Sequence, residues 1–490
     1  MPASHAWVGH FKALILGLLS LVLVWMPVSL QAVDSQSLPS LGHASTYSIS
    51  LHEEKHLGQA WMRQFRASQS MYEDPLVQLY AENLLSQLAA HERHLEQRDL
   101  SLLLVDRPQL NAFAVPGGIV GIHTGLFVFA PNEDEFASVL AHELAHLSQR
   151  HFARRVEAAR GAQWATLAGL LAGILVASQG HADAGVAAIA STQAASIQQQ
   201  LAWSRSYEQE ADRIGMETLV AAGFPADAMP RMFEQMQRLA NASGRMPEFL
   251  LTHPLTENRV ADAWSRADQL SAAQGPQPGR DYPLIRARVL RHQLGDTGEV
   301  RAWLQRSQLD ASVQTYLEAI AASEQGDSEA ASETLQRLID AQPEWLLPRY
   351  LQAEILVEAE AWQAARQALD DLLLYAPSYA PGLFLLAQWH WDQQQWNEAR
   401  QIYQRLSQQR PEDPQVWYHL AEAAGKAGRH VQLHTARAEF FQLTGRFRAA
   451  FTQLDLAQSQ AEAENQPWSV QAGLRERRKT LETLQAQMDF

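Results

Sequence analysis

The chain has 490 residues, more than one core of usual size accommodates, so two or more domains are expected. Hydrophobic residues at 47% and charged residues at 19% make an ordinary globular composition and exclude disorder of the chain as a whole. A formal net charge of −15 with no basic stripe excludes a general nucleic-acid binder, and the absence of cysteine excludes disulfides, thiolate metal ligands and a lipidated cysteine.

In chain order, His10 and Lys12 precede the apolar run ALILGLLSLVLVWMPVSL, followed by QA and a polar VDSQS. This is the layout of a secretory signal peptide over 1–32, with cleavage after Ala32. An uncleaved N-terminal anchor is the alternative, and either places the rest of the chain outside the cytoplasm. Amphipathic patterns predict helices over 50–68 and 74–91, the second opened by Asp74 and Pro75. LSLLLVD (100–106) reads as a short buried strand, and NAFAVPGGIVGI as strands 111–115 and 119–123 around a Pro-Gly-Gly turn. A helix begins near Asn132 or Asp134 and carries VLAHELAHLSQRH (139–151).

WATLAGLLAGILVA (164–177) is shorter than the roughly 18 apolar residues a membrane span needs. It reads as a packed helix, with a lid or a membrane-dipping segment as the sharper alternative. Helix resumes through SRSYEQEADRIGMETLVAAG and stops at Gly223, and SAAQGPQPGRDYP (271–283) is the best linker. Beyond it Pro343, Pro377 and Pro411 recur at intervals of 34, as do Ala331, Ala365 and Ala399, and Leu335, Leu369 and Tyr403. A small residue, a larger one four later and a helix-ending proline match the second helix of a tetratricopeptide repeat, with Trp417 and Leu420 placed for a first helix. About four such units between 285 and 445 are expected to stack into a curved array, then terminal helices to 490.

His142 and His146, four apart on one helix, project from one face and can reach one ion. Glu143 lies about 100° round the helix, close to that ion without ligating it. A catalytic zinc needs a third protein ligand. Gln149 and Phe152 stand where an extended HExxHxxGxxH pattern would have Gly and His. His151 falls about 140° off the face of His146 and is rejected as a ligand; His181 is expected to be exposed. SRSYEQEAD (204–212) offers Glu208 and Asp212 on one face, with Glu210 pointing away. Glu208 is assigned as third ligand, and Asp212 as acceptor of the spare ring N–H of His142 or His146. A hairpin edge strand, NAFAV or GIVGI, would take an extended peptide by backbone hydrogen bonds, predicting loose specificity.

HELAH followed by EQEAD, preceded by NAFAVPGG and followed by THPLTENR, resembles the gluzincin metallopeptidases of family 48 across residues 50 to 265. The resemblance implies zinc held by His142, His146 and Glu208, with Glu143 as general base. It also draws in His253, in one of two roles: polarising the substrate carbonyl, or filling the open coordination position until substrate displaces it. Arg259 is expected to pair with Asp212 or a neighbouring acid. The expected fold is mainly α with a small β-sheet, a gluzincin-type zinc metallopeptidase followed by an α-solenoid of tetratricopeptide repeats. The expected division is 1–32 signal peptide, 33–272 peptidase and 273–490 repeats with terminal helices. By the same resemblance, the chain is a periplasmic endopeptidase with one Zn2+. Its implied substrates are unfolded or misassembled outer-membrane proteins, and its partner is the barrel assembly machinery, met through the repeats. No nucleic-acid partner is expected, peripheral membrane contact stays open, and a non-proteolytic chaperone or adaptor is the alternative.

Overall fold

The computed structural model describes residues 49–95, 99–158, 194–243, 246–270, 279–305 and 311–486. The signal peptide, the segment 164–177, His181 and most of the linker (271–278) lie outside them. Among the described residues, no helix is long and apolar enough to cross a membrane.

Local chemistry sets the first elements. Helix α1 (Leu51–Ser68) opens with a capping box in which Ser50 Oγ accepts the Glu53 amide and the Glu53 carboxylate accepts the Ser50 amide. Helix α2 (Pro75–Ala89) has proline at its first turn, and Asp74 accepts from the amides of Leu76 and Val77. Strands β1 (Ser101–Val105), β2 (Ala112–Val115) and β3 (Ile119–His123) form one sheet in the order β1-β3-β2, with β1 parallel and β2 antiparallel to β3. Gly117 and Gly118, at φ 88° and 87°, make the left-handed turn between β2 and β3 that side-chain-bearing residues resist. Period-two alternation gives the sheet two buried faces. Leu103, Val105, Phe113 and Val115 pack under Trp61, Met62 and Phe65 of α1, while Leu102, Leu104, Val120 and Ile122 join the main core.

Helix α3 (Thr124–Phe129) leads into α4 (Glu133–Ser148), capped by Asn132. Arg150, at φ 52°, breaks the chain direction before α5 (His151–Ala158), and its side chain forms a buried ion pair with Glu54 of α1. Helix α6 (Ala194–Ala221) packs along α4, and α7 (Ala228–Ser243), α8 (Glu248–Thr252) and α9 (Glu257–Leu270) complete this part. The contact between α4 and α6 is close at Gly215, where a Cβ would fall 3.0 Å from the Ala141 carbonyl and the His142 nitrogen.

Twelve further helices follow: α10 (Tyr282–Leu294), α11 (Thr297–Leu304), α12 (Ala311–Glu324), α13 (Ser328–Ala341), α14 (Leu346–Glu358), α15 (Trp362–Tyr375), α16 (Ala380–Asp392), α17 (Trp396–Gln409), α18 (Pro414–Lys426), α19 (His430–Leu443), α20 (Phe447–Ala463) and α21 (Trp468–Ala486). Ala331, Ala365 and Ala399 lie fully buried on α13, α15 and α17, where a larger residue would part the helices, and Leu335, Leu369 and Tyr403 pack beside them. One core runs without a break from the first part into the array. Tyr282 of α10 packs with Phe127 and Phe136 and donates to the Ala130 carbonyl, and Arg286 caps the carbonyls of Phe127 and Val128. The array touches the first part again much later. Arg410 makes a two-pronged pair with Glu82 of α2 at 2.8 and 2.9 Å, and the turn at Gly445 lies against the Arg63 carbonyl of α1.

Candidate metal centre

Helix α4 delivers His142, Glu143 and His146, and α6 delivers Glu208 and Asp212. Gly215 lies on the same stripe of α6 as these acids, seven residues beyond Glu208, so the close packing it allows against α4 helps set carboxylates beside imidazoles. The third contributor is the C-cap of α8, His253, whose ring stacks on Phe249 at 4.6 Å. All of these side chains are buried or nearly so.

Four donor atoms converge. His142 Nε2 lies 3.0 Å from His146 Nε2, 3.3 Å from Glu208 Oε2 and 3.3 Å from His253 Nδ1. Glu208 Oε2 is 3.1 Å from His253 Nδ1, and Glu208 Oε1 is 3.5 Å from His146 Nε2. Ligands about 2.0–2.2 Å from a tetrahedral zinc are about 3.3 Å from one another, so this spacing fits one ion of that size. The outer partners reinforce the fit. His142 Nδ1 is 3.0 Å from Asp212 Oδ1, so with a metal on Nε2 the ring proton would sit on Nδ1, facing that carboxylate. A cation between the two Nε2 atoms, which lie 3.0 Å apart, would take a lone pair from each. The residues present therefore fit a divalent metal.

Asp212 is held in turn by Arg259, whose Nε and Nη2 donate to its two oxygens at 2.6 and 2.7 Å, while Nη1 lies 3.2 Å from Glu208 Oε2. Charge follows from this geometry. Burial works against charge on His142, yet Asp212 and Glu208 outweigh it and push its ring up to about 9. Burial holds His146 well below its ordinary value. Glu208 is drawn well below the carboxylate range because His253 and His146 overcome the opposing burial. The Glu143 carboxyl is raised above its ordinary value, chiefly by burial. Its neighbours are His253 Nε2 at 3.5 Å and the Ala114 backbone of β2.

The structure thus brings together His142, His146, Glu208, Glu143, Asp212 and His253, with Arg259 on Asp212 as expected. Of the two candidate edges, β2 is at the border of the sheet, whereas GIVGI forms β3, which is central and pairs on both sides. The His123 amide bonds to the Asn111 carbonyl, so by antiparallel alternation Ala112 and Ala114 turn their amides and carbonyls away from β3. Two features escape the sequence reading. His151 packs its Nδ1 2.8 Å from His146 Nδ1, and Glu210 reaches the far side of the His151 ring. The His-Glu-x-x-His pattern also occurs a second time, at 52–56 on α1. There the two Nε2 atoms are 2.8 Å apart on an exposed face, and among the described residues no third donor joins them. Spacing alone does not make a centre; the α6 acids do.

Comparison with known proteins agrees with this arrangement. Residues 75–267 match the model of peptidase family M48, and 356–423 match a tetratricopeptide repeat. The chain is 38% identical over 317 residues to a Vibrio cholerae relative, covering 64% of this chain and 65% of that one. It is 35% identical over 318 residues to the beta-barrel assembly-enhancing protease of Escherichia coli, covering 64% of each. A mitochondrial metalloendopeptidase of Arabidopsis thaliana is 28% identical over 198 residues, which is 40% of this chain and 38% of that one. The chain thus spans a little under two thirds of the length of the bacterial relatives.

Proposed function

Starting from a chain that carries a peptidase family M48 domain followed by tetratricopeptide repeats, we propose that it is a zinc endopeptidase of the bacterial periplasm. Its role would be quality control of outer-membrane protein assembly, the process that names the Escherichia coli relative. The observation that carries the reading is the convergence of His142, His146 and Glu208 on one point with Glu143 beside it. In this reading those three side chains hold one zinc, which supplies Lewis acidity to a substrate carbonyl and to the attacking water.

The chain's own groups do the rest. Glu143, fully buried, takes the proton of the attacking water and returns it to the leaving amine. Asp212, clamped by Arg259, keeps His142 in the tautomer that faces the ion. The outward amides and carbonyls of Ala112 and Ala114 bind an extended substrate next to Glu143, reading backbone rather than side chains. Such a groove admits unfolded chains and excludes folded ones, which fits outer-membrane proteins that fail to assemble. His253 either polarises the substrate carbonyl or occupies the open position until substrate displaces it.

The remaining assignments belong to the same proposal: a signal peptide over 1–32, peptidase over 33–272, and repeats over 273–490 that meet the barrel assembly machinery, with peripheral membrane contact left open. A cavity of about 1560 Å3 separates α1, α2 and β1 from the array, lined by Met62, Leu103, Arg288, Phe384, His419 and Phe440 among others. That open, mixed polar and apolar groove favours a second, chaperone-like activity, in which the repeats hold a client without cutting it. Wild type and Glu143→Gln, each with and without a chelator, decide between the two on unfolded casein. Loss of cleavage in the variant and in chelator supports the peptidase. Equal, chelator-insensitive turnover discards it, and binding without any turnover in the wild type leaves the chaperone reading.

A further inference from the structure

His151 is a buried histidine that the mechanism above does not use, and its contacts admit a single proton assignment. The left-handed turn at Arg150 folds α5 back, so His151 meets the outer face of His146 with its Nδ1 2.8 Å from His146 Nδ1 and the rings edge to face at 4.9 Å. On its other side, His151 Nε2 lies 3.3 Å from Glu210 Oε2. Arg154 donates to the same oxygen at 2.8 Å, and Tyr207 stacks on the His151 ring at 4.7 Å. The ring is 2% exposed and has no room to choose other partners.

A neutral imidazole carries one N–H and one lone pair. For His146 to offer Nε2 to the donor cluster, its proton must sit on Nδ1, where among the described residues the acceptor is His151 Nδ1. That nitrogen must then carry the lone pair, which sends the His151 proton to Nε2, where Glu210 accepts it. Every group in the chain His146, His151, Glu210 is satisfied in this assignment and in no other neutral one.

We propose that His151 and Glu210 form a positioning relay that fixes the metal-facing tautomer of His146, matching what Asp212 does directly for His142. The three acids of EQEAD then divide the work: Glu208 faces the ion, Asp212 orients one histidine, and Glu210 orients the other through an interposed ring. The relay rests on the zinc reading of the cluster. Its ligand is a borderline divalent transition ion, for which an oriented imidazole nitrogen is the preferred donor.

The test uses the full chain and zinc alone, measuring zinc affinity by competition with a chromophoric chelator and the melting temperature of the metal-free protein. His151→Leu removes the acceptor, and His151→Asn places an amide oxygen near the position of Nδ1. Glu210→Gln, at a half-buried position that the fold tolerates, removes only the charge. The relay predicts zinc binding about 10- to 100-fold weaker in His151→Leu. It also predicts substantial recovery in His151→Asn and a smaller loss in Glu210→Gln, with metal-free melting changed little among the three. Affinities within twofold of wild type, or Asn failing as far as Leu, overturn it. A loss of affinity that simply tracks metal-free stability also overturns it, since packing alone would do that. Wild type without one tightly bound zinc defeats the reading of the cluster, and the relay with it.

Discussion

His253 rests against Glu208, with Nδ1 3.1 Å from Oε2, while its own backbone amide closes the last turn of α8 on Phe249. Helix α8 is in turn tied to the start of the edge strand. The Phe249 amide bonds to the Leu110 carbonyl, and Asn111 donates to Glu248 at 3.0 Å. His253 is therefore held against the cluster by a helix that is itself tied to the edge strand. If it blocks the open coordination position, His253→Ala raises casein cleavage severalfold with zinc retained. If activity instead falls, by the 100-fold or more typical of a lost oxyanion donor, the blocking role is rejected in favour of carbonyl polarisation.

Gly215 gives a test of how the two helices set the centre. A Cβ there would press on the Ala141 carbonyl at 3.0 Å, and a valine would press further. Overpacking of this kind costs about 1–3 kcal/mol. Gly215→Val is expected to lower the melting temperature by several degrees and to weaken zinc binding, with Gly215→Ala milder in both. Unchanged zinc affinity in the valine variant would show that the α4–α6 spacing does not control the ligands.

Acid should destabilise the protein through His123. This fully buried ring at the end of β3 is pushed down to about 3 by burial, with Arg107 adding to the effect. Below pH 6.5 the unfolded chain binds a proton that the folded chain refuses, so stability present above that pH is lost as pH falls toward 3. At pH 4.5 the loss is on the order of 2 kcal/mol. In His123→Leu the drop in melting temperature between pH 7 and pH 4.5 should shrink; an equal drop would clear His123 of the effect.

Removing the helical array should cost the first part of the chain its fold. A chain ending at residue 280 loses Tyr282, Ile285 and Val289, which fill the same core as Phe127, Phe136 and Leu140. Leaving such a surface open is expected to abolish cooperative melting and stoichiometric zinc binding. A soluble truncated chain with wild-type zinc affinity would show that the first part is self-sufficient.

Much of the centre was legible because helix geometry is local. Four-residue spacing put His142 with His146, and Glu208 with Asp212, before any tertiary structure was known. The buried alanines at 331, 365 and 399 were legible for the same reason: a repeated close contact demands a repeated small residue. What escaped depends on chain reversals and distant pairing. His151 is about 140° from His146 on a straight helix, but Arg150 at φ 52° ends that helix and returns His151 to its neighbour's side. The order β1-β3-β2 likewise follows from a parallel pairing across the intervening β2, which alternation within each strand does not encode.

The repeat array is pinned to α1 and α2 through Gly445 and Arg410 as well as being rooted in the core through α10. An open solenoid flexes like a spring with one free end, whereas this one behaves as a brace. Contacts run from Gly445 to the Arg63 carbonyl of α1, and from Glu54 of α1 to Arg150, so the array and the turn that sets His151 lean on the same helix.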